Sequence, residues 1–127
     1  MVARLADPGP DAARQRIAGE EAVAGAHAVA LGLFGRDALA ADQGRPDAVL
    51  GTGAVTLAQN FDTEADVDAA YAAALKAGAT ALKAPEKVFW GGYSGYFADP
   101  DGHVWELAMN PFWPLNEDGS LTLPPEA

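Results

Sequence analysis

The run GYFADPDGHVWELAMN at residues 95–110 constrains the fold of this chain more than any other part of the sequence. Two stretches containing aromatic residues flank the tetrapeptide DPDG, in which proline and glycine favour a tight turn. A β-hairpin is therefore predicted, with strands at GYFAD and HVWELAMN. The second strand carries one carboxylate, Glu106, between Trp105 and Leu107, and this side chain either takes part in chemistry or points to water.

Residues 54–110 as a whole predict the element order strand, helix, strand, strand, strand. AVTLAQNF at 54–61 alternates as a strand does, and Thr63 is a helix N-cap with Asp66 three positions later. Apolar residues then recur at helical spacing until Gly78 ends the helix. This order predicts an α+β fold with a mostly antiparallel sheet. About sixty residues form a marginal core, so we expect a second module or a second chain to pack against it.

Changes in composition divide the chain into four predicted segments. Proline and glycine interrupt the start of the chain, and alanine, a poor strand former, dominates the part that follows. We predict a poorly ordered or short helical N-terminus at 1–20, an abbreviated first module and connecting loop at 21–53, a second module at 54–115, and an irregular tail at 116–127.

Within the abbreviated first module, the pattern over 21–34 favours a hairpin of small residues that turns near Gly25. Its better strand is expected at 28–34. A short helix is expected at 36–41, inside the loop that leads to the second module.

Composition limits the classes of function. The net charge of −10, with eight scattered lysines and arginines, disfavours binding to nucleic acid. No run of about 18 apolar residues is present, so no transmembrane helix is predicted. The N-terminus lacks the apolar centre of a signal peptide, and the absence of cysteine excludes disulfides and thiolate chemistry. A cytoplasmic location and no membrane association are therefore expected.

The predicted order, together with the run FWGGYSGYFADPDGHVWELAMNPFWPL, resembles the second module of the vicinal oxygen chelate superfamily. That superfamily includes glyoxalase I, bleomycin-resistance proteins, fosfomycin-resistance enzymes and extradiol dioxygenases. The resemblance covers residues 54–115 and extends, less closely, to 28–44. It implies paired βαβββ modules whose curved mixed sheet forms a cleft, which holds a divalent metal in the enzyme members.

The resemblance also assigns positions in that cleft. Glu106 matches the last-strand carboxylate of the second module, and Thr56 falls where the first strand has its ligand, usually histidine. A shifted register would place Gln59 there instead. The matching carboxylate position of the first module falls within 31–34, which contains no Asp or Glu, and its opening strand is not identifiable in the sequence.

A catalytic Zn, Ni, Mn or Fe centre needs at least three protein ligands, and the sequence offers few. His103 lies three residues before Glu106, so on a strand it faces the opposite side of the sheet. His27 falls in the small-residue hairpin, where an exposed histidine is the better interpretation. The sequence therefore predicts no cofactor, with Glu106 as the one candidate ligand if a divalent metal is bound.

Eight of the eleven aromatic residues lie between Phe89 and Trp113, which places the core and any ligand-binding wall in the second half of the chain. Trp90 and Tyr93 flank the Gly91-Gly92 bend, where aromatic rings either pack into the core or stack on a planar ligand.

Two functions follow from these observations. The favoured one is a non-catalytic protein resembling the bleomycin-resistance branch, which binds a planar or cationic small molecule through Glu106, Thr56, Gln59, Trp90 and Tyr93. The alternative is a metal-dependent enzyme, a glyoxalase-type lyase or a dioxygenase, in which Glu106 is one metal ligand. In either case we expect a homodimer, because the first module looks incomplete.

Overall fold

The computed structural model of the protein describes residues 2–3, 20–26, 29–51 and 54–121, with side chains described from residue 32 onward. In this part of the chain all seven strands belong to one mixed sheet, in the order β2-β3-β1-β4-β7-β6-β5. The elements are β1 (Val2–Ala3), β2 (Glu20–Ala26), β3 (Val29–Phe34), α1 (Arg36–Asp42), β4 (Thr56–Asn60), α2 (Glu64–Lys76), β5 (Thr80–Lys87), β6 (Tyr93–Ala98) and β7 (Val104–Met109).

The second half of the chain has the predicted order of strand, helix, strand, strand and strand. Strand β4 pairs in parallel with β7, which pairs antiparallel with β6, and β6 pairs antiparallel with β5. Helix α2 contacts β5, β6 and β7 on one face of this sheet. The predicted α+β fold is therefore confirmed, with a sheet that is mixed because the first and last strands of the unit run parallel.

The first half of the chain contributes an opening strand that sequence reasoning missed. Val2 and Ala3 form β1, which pairs in parallel with β3 and antiparallel with β4. This short strand joins the two halves of the molecule into one sheet. Two residues are too few to show an alternating pattern, so their pairing partners rather than their sequence make them a strand.

The predicted hairpin of the first half is present. Gly25 is inside β2 and pairs with Ala30, and the last pair before the turn is Ala26 with Val29. The pairing therefore ends one residue after Gly25, close to the predicted turn, and Gly25 itself belongs to the strand. The predicted N-terminal helix falls outside the described residues, and the segment boundaries at 20, 53 and 115 stay predictions.

The DPDG turn fixes the register of the β6–β7 hairpin. The amide of Gly102 donates to the carbonyl of Asp99 at 2.9 Å, and Asp99 in turn donates to the carbonyl of His103 at 2.9 Å. Gly102 has a φ of 88°, as expected for the left-handed residue that follows a type I turn in a three-residue hairpin loop. Beyond the turn, Phe97 and Trp105 stack with ring centroids 6.4 Å apart.

Among the side chains described from residue 32 onward, two apolar clusters can be distinguished. Val67 and Tyr71 of α2 pack against Leu107 of β7, and further apolar side chains surround them: Phe61, Ala70, Tyr93, Phe97 and Met109. The second cluster lies around α1 and comprises Leu39, Ala40 and Leu50 with Phe34, Ala48 and Ala54. None of the described helices has the length and hydropathy needed to cross a membrane.

Candidate functional site

The two faces of the β4–β7–β6–β5 sheet differ in what covers them. Side chains in register across neighbouring strands point to the same face, and this rule separates the sheet into an outer face under α2 and the opposite, inner face. Leu107 and its partner in β4, Gln59, belong to the outer face. The inner face carries Thr56, Ala58, Ser94, Tyr96, Glu106 and Ala108.

Glu106 lies at the middle of the inner face, between Ala58 on β4 and Tyr96 on β6. Only 3 % of its surface is exposed, so its carboxylate does not point to bulk water. Thr56 and Tyr96 beside it are each 0 % exposed. Of the predicted site residues, the structure brings together Glu106 and Thr56 on one buried face.

The C-terminal end of α1 contacts this inner face through hydrogen bonds. Gln43 Nε2 donates to Thr56 Oγ1 at 2.7 Å, in a bond buried from solvent. Arg45 Nη2 donates to the other end of the same amide, Gln43 Oε1, so the two bonds fix its orientation. The Tyr96 hydroxyl donates to the Asp42 carboxylate.

Gly44 allows the end of α1 to pack closely against β5. Its φ of 76° is the left-handed conformation that ends many helices, and its amide donates to the carbonyl of Ala41 at 3.0 Å. A Cβ added at Gly44 would lie 3.1 Å from the carbonyl oxygen of Leu82 and 3.3 Å from Lys83 Cβ. Glycine is therefore required here both by its backbone conformation and by its close approach to the neighbouring strand.

An open groove of about 410 Å³ lies between α1 and β5. Its walls combine apolar side chains with charged ones, and the residues that line it are Phe34, Ala38, Ala41, Asp42, Lys83, Glu86, Lys87, Val88 and Phe89. Asp42 connects the groove to the inner face, since it accepts the hydrogen bond from Tyr96. Lys83 also belongs to both regions, because it pairs with Tyr96 in the sheet register.

The charges in the groove are balanced in sign, unlike those of the whole chain. Lys83 Nζ lies 3.5 Å from Glu86 Oε1, and the Lys83 side chain is 21 % exposed. Lys87, at the rim, pairs with Glu64 of α2 at 3.3 Å. Surface pairs of this kind contribute at most about 1 kcal/mol, so a ligand can displace them at little cost.

Two of the predicted ligand-binding residues lie on the face away from Glu106. Gln59 is exposed on the outer side, so the shifted register that would bring it beside Glu106 is not adopted. Tyr93 also belongs to the outer face, where its hydroxyl donates to Asp68 of α2 at 2.8 Å. This hydrogen bond raises the pKa of Tyr93 above its ordinary value.

Trp90 lies in the loop between β5 and β6, beside the groove-lining Val88 and Phe89. Its ring packs on its own loop, because a Cβ added at Gly92 would lie 1.9 Å from Trp90 Cη2. His103 is exposed at the turn before β7 and does not reach the inner face from there.

The described donors on the inner face do not fit a catalytic metal centre. They are the carboxylates of Glu106 and Asp42, the hydroxyl groups of Thr56, Ser94 and Tyr96, and the amides of Asn60 and Gln43. Across the described part of the chain, no three His, Asp or Glu side chains are grouped where they could hold a metal ion. Zinc and related catalytic sites use three such ligands, so we derive no metal chemistry from these residues.

Sequence reasoning missed the contribution of the segment around α1. Asp42 ends a short alanine-rich helix and Gln43 follows it, and neither belongs to a recognisable motif. Tyr96 did have a signal, since a three-residue loop after Asp99 sets it opposite Glu106. No sequence pattern indicated the position of Lys83, because two register irregularities beside it in β5 break the alternation of side chains between the two faces.

Comparison with known proteins gives a single family. Residues 3–107 match the model of the glyoxalase/bleomycin resistance protein/dioxygenase superfamily. The crystal structure of a glyoxalase-related enzyme from Fulvimarina pelagi is 34% identical to this chain, with a TM-score of 0.53, and the match covers 80% of this chain and 73% of that one. A benzaldehyde dehydrogenase structure from Legionella pneumophila, 16% identical over 69% of each chain with a TM-score of 0.51, is similar in fold alone.

Among curated sequences, an uncharacterized protein of Mycobacterium bovis is 49% identical over 47 residues. The match covers 37% of this chain and 31% of that protein. The matched stretch therefore spans less than a third of the length of this relative.

Proposed function

Because the chain belongs to the glyoxalase/bleomycin resistance protein/dioxygenase superfamily, we propose that it binds a small planar molecule in the groove between α1 and β5, without catalysing a reaction. The groove itself is the observation that carries this proposal. Its volume of about 410 Å³ lies in the range of small-molecule sites, and it combines apolar walls with a few charged groups.

The lining of the groove supports a planar ligand with one polar substituent. Phe34, Val88 and Phe89 supply apolar and aromatic surface on which a flat ring can pack. Lys83 and Asp42 offer a donor and an acceptor toward the inner face. Since both charge signs are present, the groove does not favour a cationic ligand over an anionic one.

Isothermal titration calorimetry with three naphthalene probes tests this function: 2-naphthoate, 2-naphthalenemethanol and 2-naphthylmethylammonium. We expect at least one to bind, and Ala38→Phe to weaken it about tenfold or more, because the exposed Ala38 lines the groove and a ring there fills it. Ala72→Phe, on the exposed side of α2, is the matched control and should not change the affinity. If no probe binds, or if Ala38→Phe binds as well as the parent protein, the proposed function is wrong.

A metal-dependent lyase or dioxygenase is the alternative, and the burial of Glu106 on the inner face is the observation in its favour. This alternative requires further ligands from side chains beyond those described or from a second chain. Metal analysis of protein purified without a histidine tag separates the two functions. Stoichiometric metal in the parent protein that is lost in Glu106→Gln would favour the enzyme.

We also propose that the protein is a homodimer. Two large apolar side chains, Phe89 and Phe112, are 84% and 62% exposed. The ring of Phe112 approaches the loop that carries Phe89, since a Cβ added at Gly91 would lie 3.3 Å from Phe112 Cε2. A second copy would cover this apolar surface.

A further inference from the structure

The inner face of the sheet is closed to ligands in the described conformation. Thr56 and Tyr96 are 0% exposed, and Ala58 and Glu106 are 2% and 3% exposed. The groove is open, but it ends at Asp42 and Lys83 rather than at Glu106. A molecule that reaches Glu106 therefore requires part of the protein to move.

The end of α1 contacts this face. Gln43 donates to Thr56 at 2.7 Å, and Asp42 accepts from Tyr96. Thr56 and Tyr96 lie on either side of Glu106 in the sheet. These two hydrogen bonds thus hold the end of α1 across β7, the strand that carries Glu106, because Thr56 lies on β4 and Tyr96 on β6.

The segment that includes α1, residues 35–51, has an apolar cluster of its own. We refer to it as the α1 segment. Its apolar side chains Leu39, Ala40, Ala48 and Leu50 pack with one another and with Phe34 and Ala54 at its two ends. Phe34 belongs to β3 and Ala54 precedes β4, so the cluster holds the segment at its two ends. The C-terminal end of α1 meets the sheet through the bonds of Gln43 and Asp42 and through the approach of Gly44 to β5, and water can replace these hydrogen bonds when that end is displaced.

We propose that the α1 segment is a lid that opens and closes over Glu106, with the bonds of Gln43 and Asp42 as its latch. Gly35 and Gly51 are at its two ends, and a Cβ added at Gly51 would meet nothing within 4 Å, so no described side chain packs against the chain at that point. The lid controls access to the inner face. It does not depend on which molecule occupies the groove, and it goes beyond the proposed function.

The absence of cysteine makes a thiol-labelling experiment direct, because a single introduced thiol is the only reactive one. Ala58→Cys places a thiol beneath the lid, next to Glu106. Ala40→Cys places one inside the cluster of the lid itself, where Ala40 is 0% exposed. The rate of reaction with 5,5′-dithiobis(2-nitrobenzoate) is measured for each, with and without Thr56→Val, which removes the acceptor for Gln43.

We expect Thr56→Val to raise the labelling rate at position 58 about fivefold, the equivalent of about 1 kcal/mol in the opening equilibrium. The rate at position 40 should stay the same, since the lid opens without unfolding. An equal increase at both positions would mean general unfolding, and no increase at position 58 would mean that the latch does not hold a lid. Either result overturns the proposal.

A second labelling position checks that the result does not come from poor folding of the Ala58→Cys variant. Ser94→Cys is nearly isosteric, and Ser94 lies on the same inner face with 2% exposure. It should respond to Thr56→Val as Ala58→Cys does. If its labelling rate does not change, the inference fails whatever the behaviour at position 58.

Discussion

Asp99 shows how one side chain fixes the local structure around the inner face. Within the described residues its carboxylate accepts bonds from the amides of Asp101 at 3.0 Å and His103 at 2.9 Å, and from Trp105 Nε1 at 3.1 Å. The bond from Trp105, followed by the backbone bonds, lowers the pKa of Asp99 below 3.8. Because this turn sets the register of β6 and β7, it also sets Tyr96 opposite Glu106.

Asp99→Ala should lower the melting temperature at neutral pH, and the loss should depend on pH. A carboxylate whose pKa is lowered in the folded state stabilises the fold above its ordinary pKa, and this contribution disappears as the pH falls through the folded value. The gap in melting temperature between the parent protein and the variant should therefore narrow below about pH 4. Asp101→Ala, an exposed carboxylate of the same turn, is the control, and an equal pH-dependent gap there would contradict this account.

Residue patterns also limit what the sequence could predict about the site. The turn signal at DPDG was sufficient for the hairpin, and the spacing from it would have paired Tyr96 with Glu106. The bond from Gln43 to Thr56 joins residues 13 positions apart across a loop, and no local pattern encodes such a contact. The strand register determines which side of the sheet Gln59 and Tyr93 face, and the sequence did not determine that register.

At the scale of elements, α2 is the part that the sequence predicted best. Thr63 is its N-cap, as predicted, and its Oγ1 accepts from the amide of Asp66 at 3.1 Å. The acidic first turn and Lys76 in the last turn both complement the helix dipole. Local signals suffice for such a helix, whereas β1 exists only through its pairing with β3 and β4.

Thr63→Ala should reduce the free energy of unfolding by about 1 kcal/mol, because the amide of Asp66 loses its capping oxygen. Urea denaturation followed by circular dichroism measures this change. Asp62→Ala alters the exposed residue just before the cap and should have a smaller effect. If Thr63→Ala is as stable as the parent protein, the cap does not contribute to the stability of this helix.

At the scale of the whole molecule, the homodimer proposal rests on exposed apolar surface. Light scattering at about 10 μM, a concentration at which a stable homodimer persists, should give twice the chain mass of 13.1 kDa. Phe89→Ser combined with Phe112→Ser should shift the protein toward the monomer, since these rings are the exposed aromatic ones. Val49→Ser, at an apolar residue 94% exposed after α1, is the control. A monomeric mass for the parent protein would contradict the proposal.

The groove between α1 and β5 depends on the joining of both halves of the chain into one sheet. Strand β1 joins the two halves, and the loop from β3 to β4 carries α1 onto the inner face. The groove forms between this loop and the edge strand β5, so it depends on both halves of the chain. Sequence patterns indicated the hairpin and the short helix of the first half but not β1, which joins them to the second half, and for that reason could not predict the groove.

The most direct test of ligand binding in this groove is to map the bound position of a planar probe by NMR. Amide chemical shifts of the ¹⁵N-labelled protein are followed while 2-naphthoate, or whichever naphthalene probe binds in calorimetry, is added. We expect the largest changes at groove residues such as Ala38, Asp42 and Val88, and small changes along α2. Changes confined to α2 and the outer face, or no changes at saturating probe, would contradict this expectation.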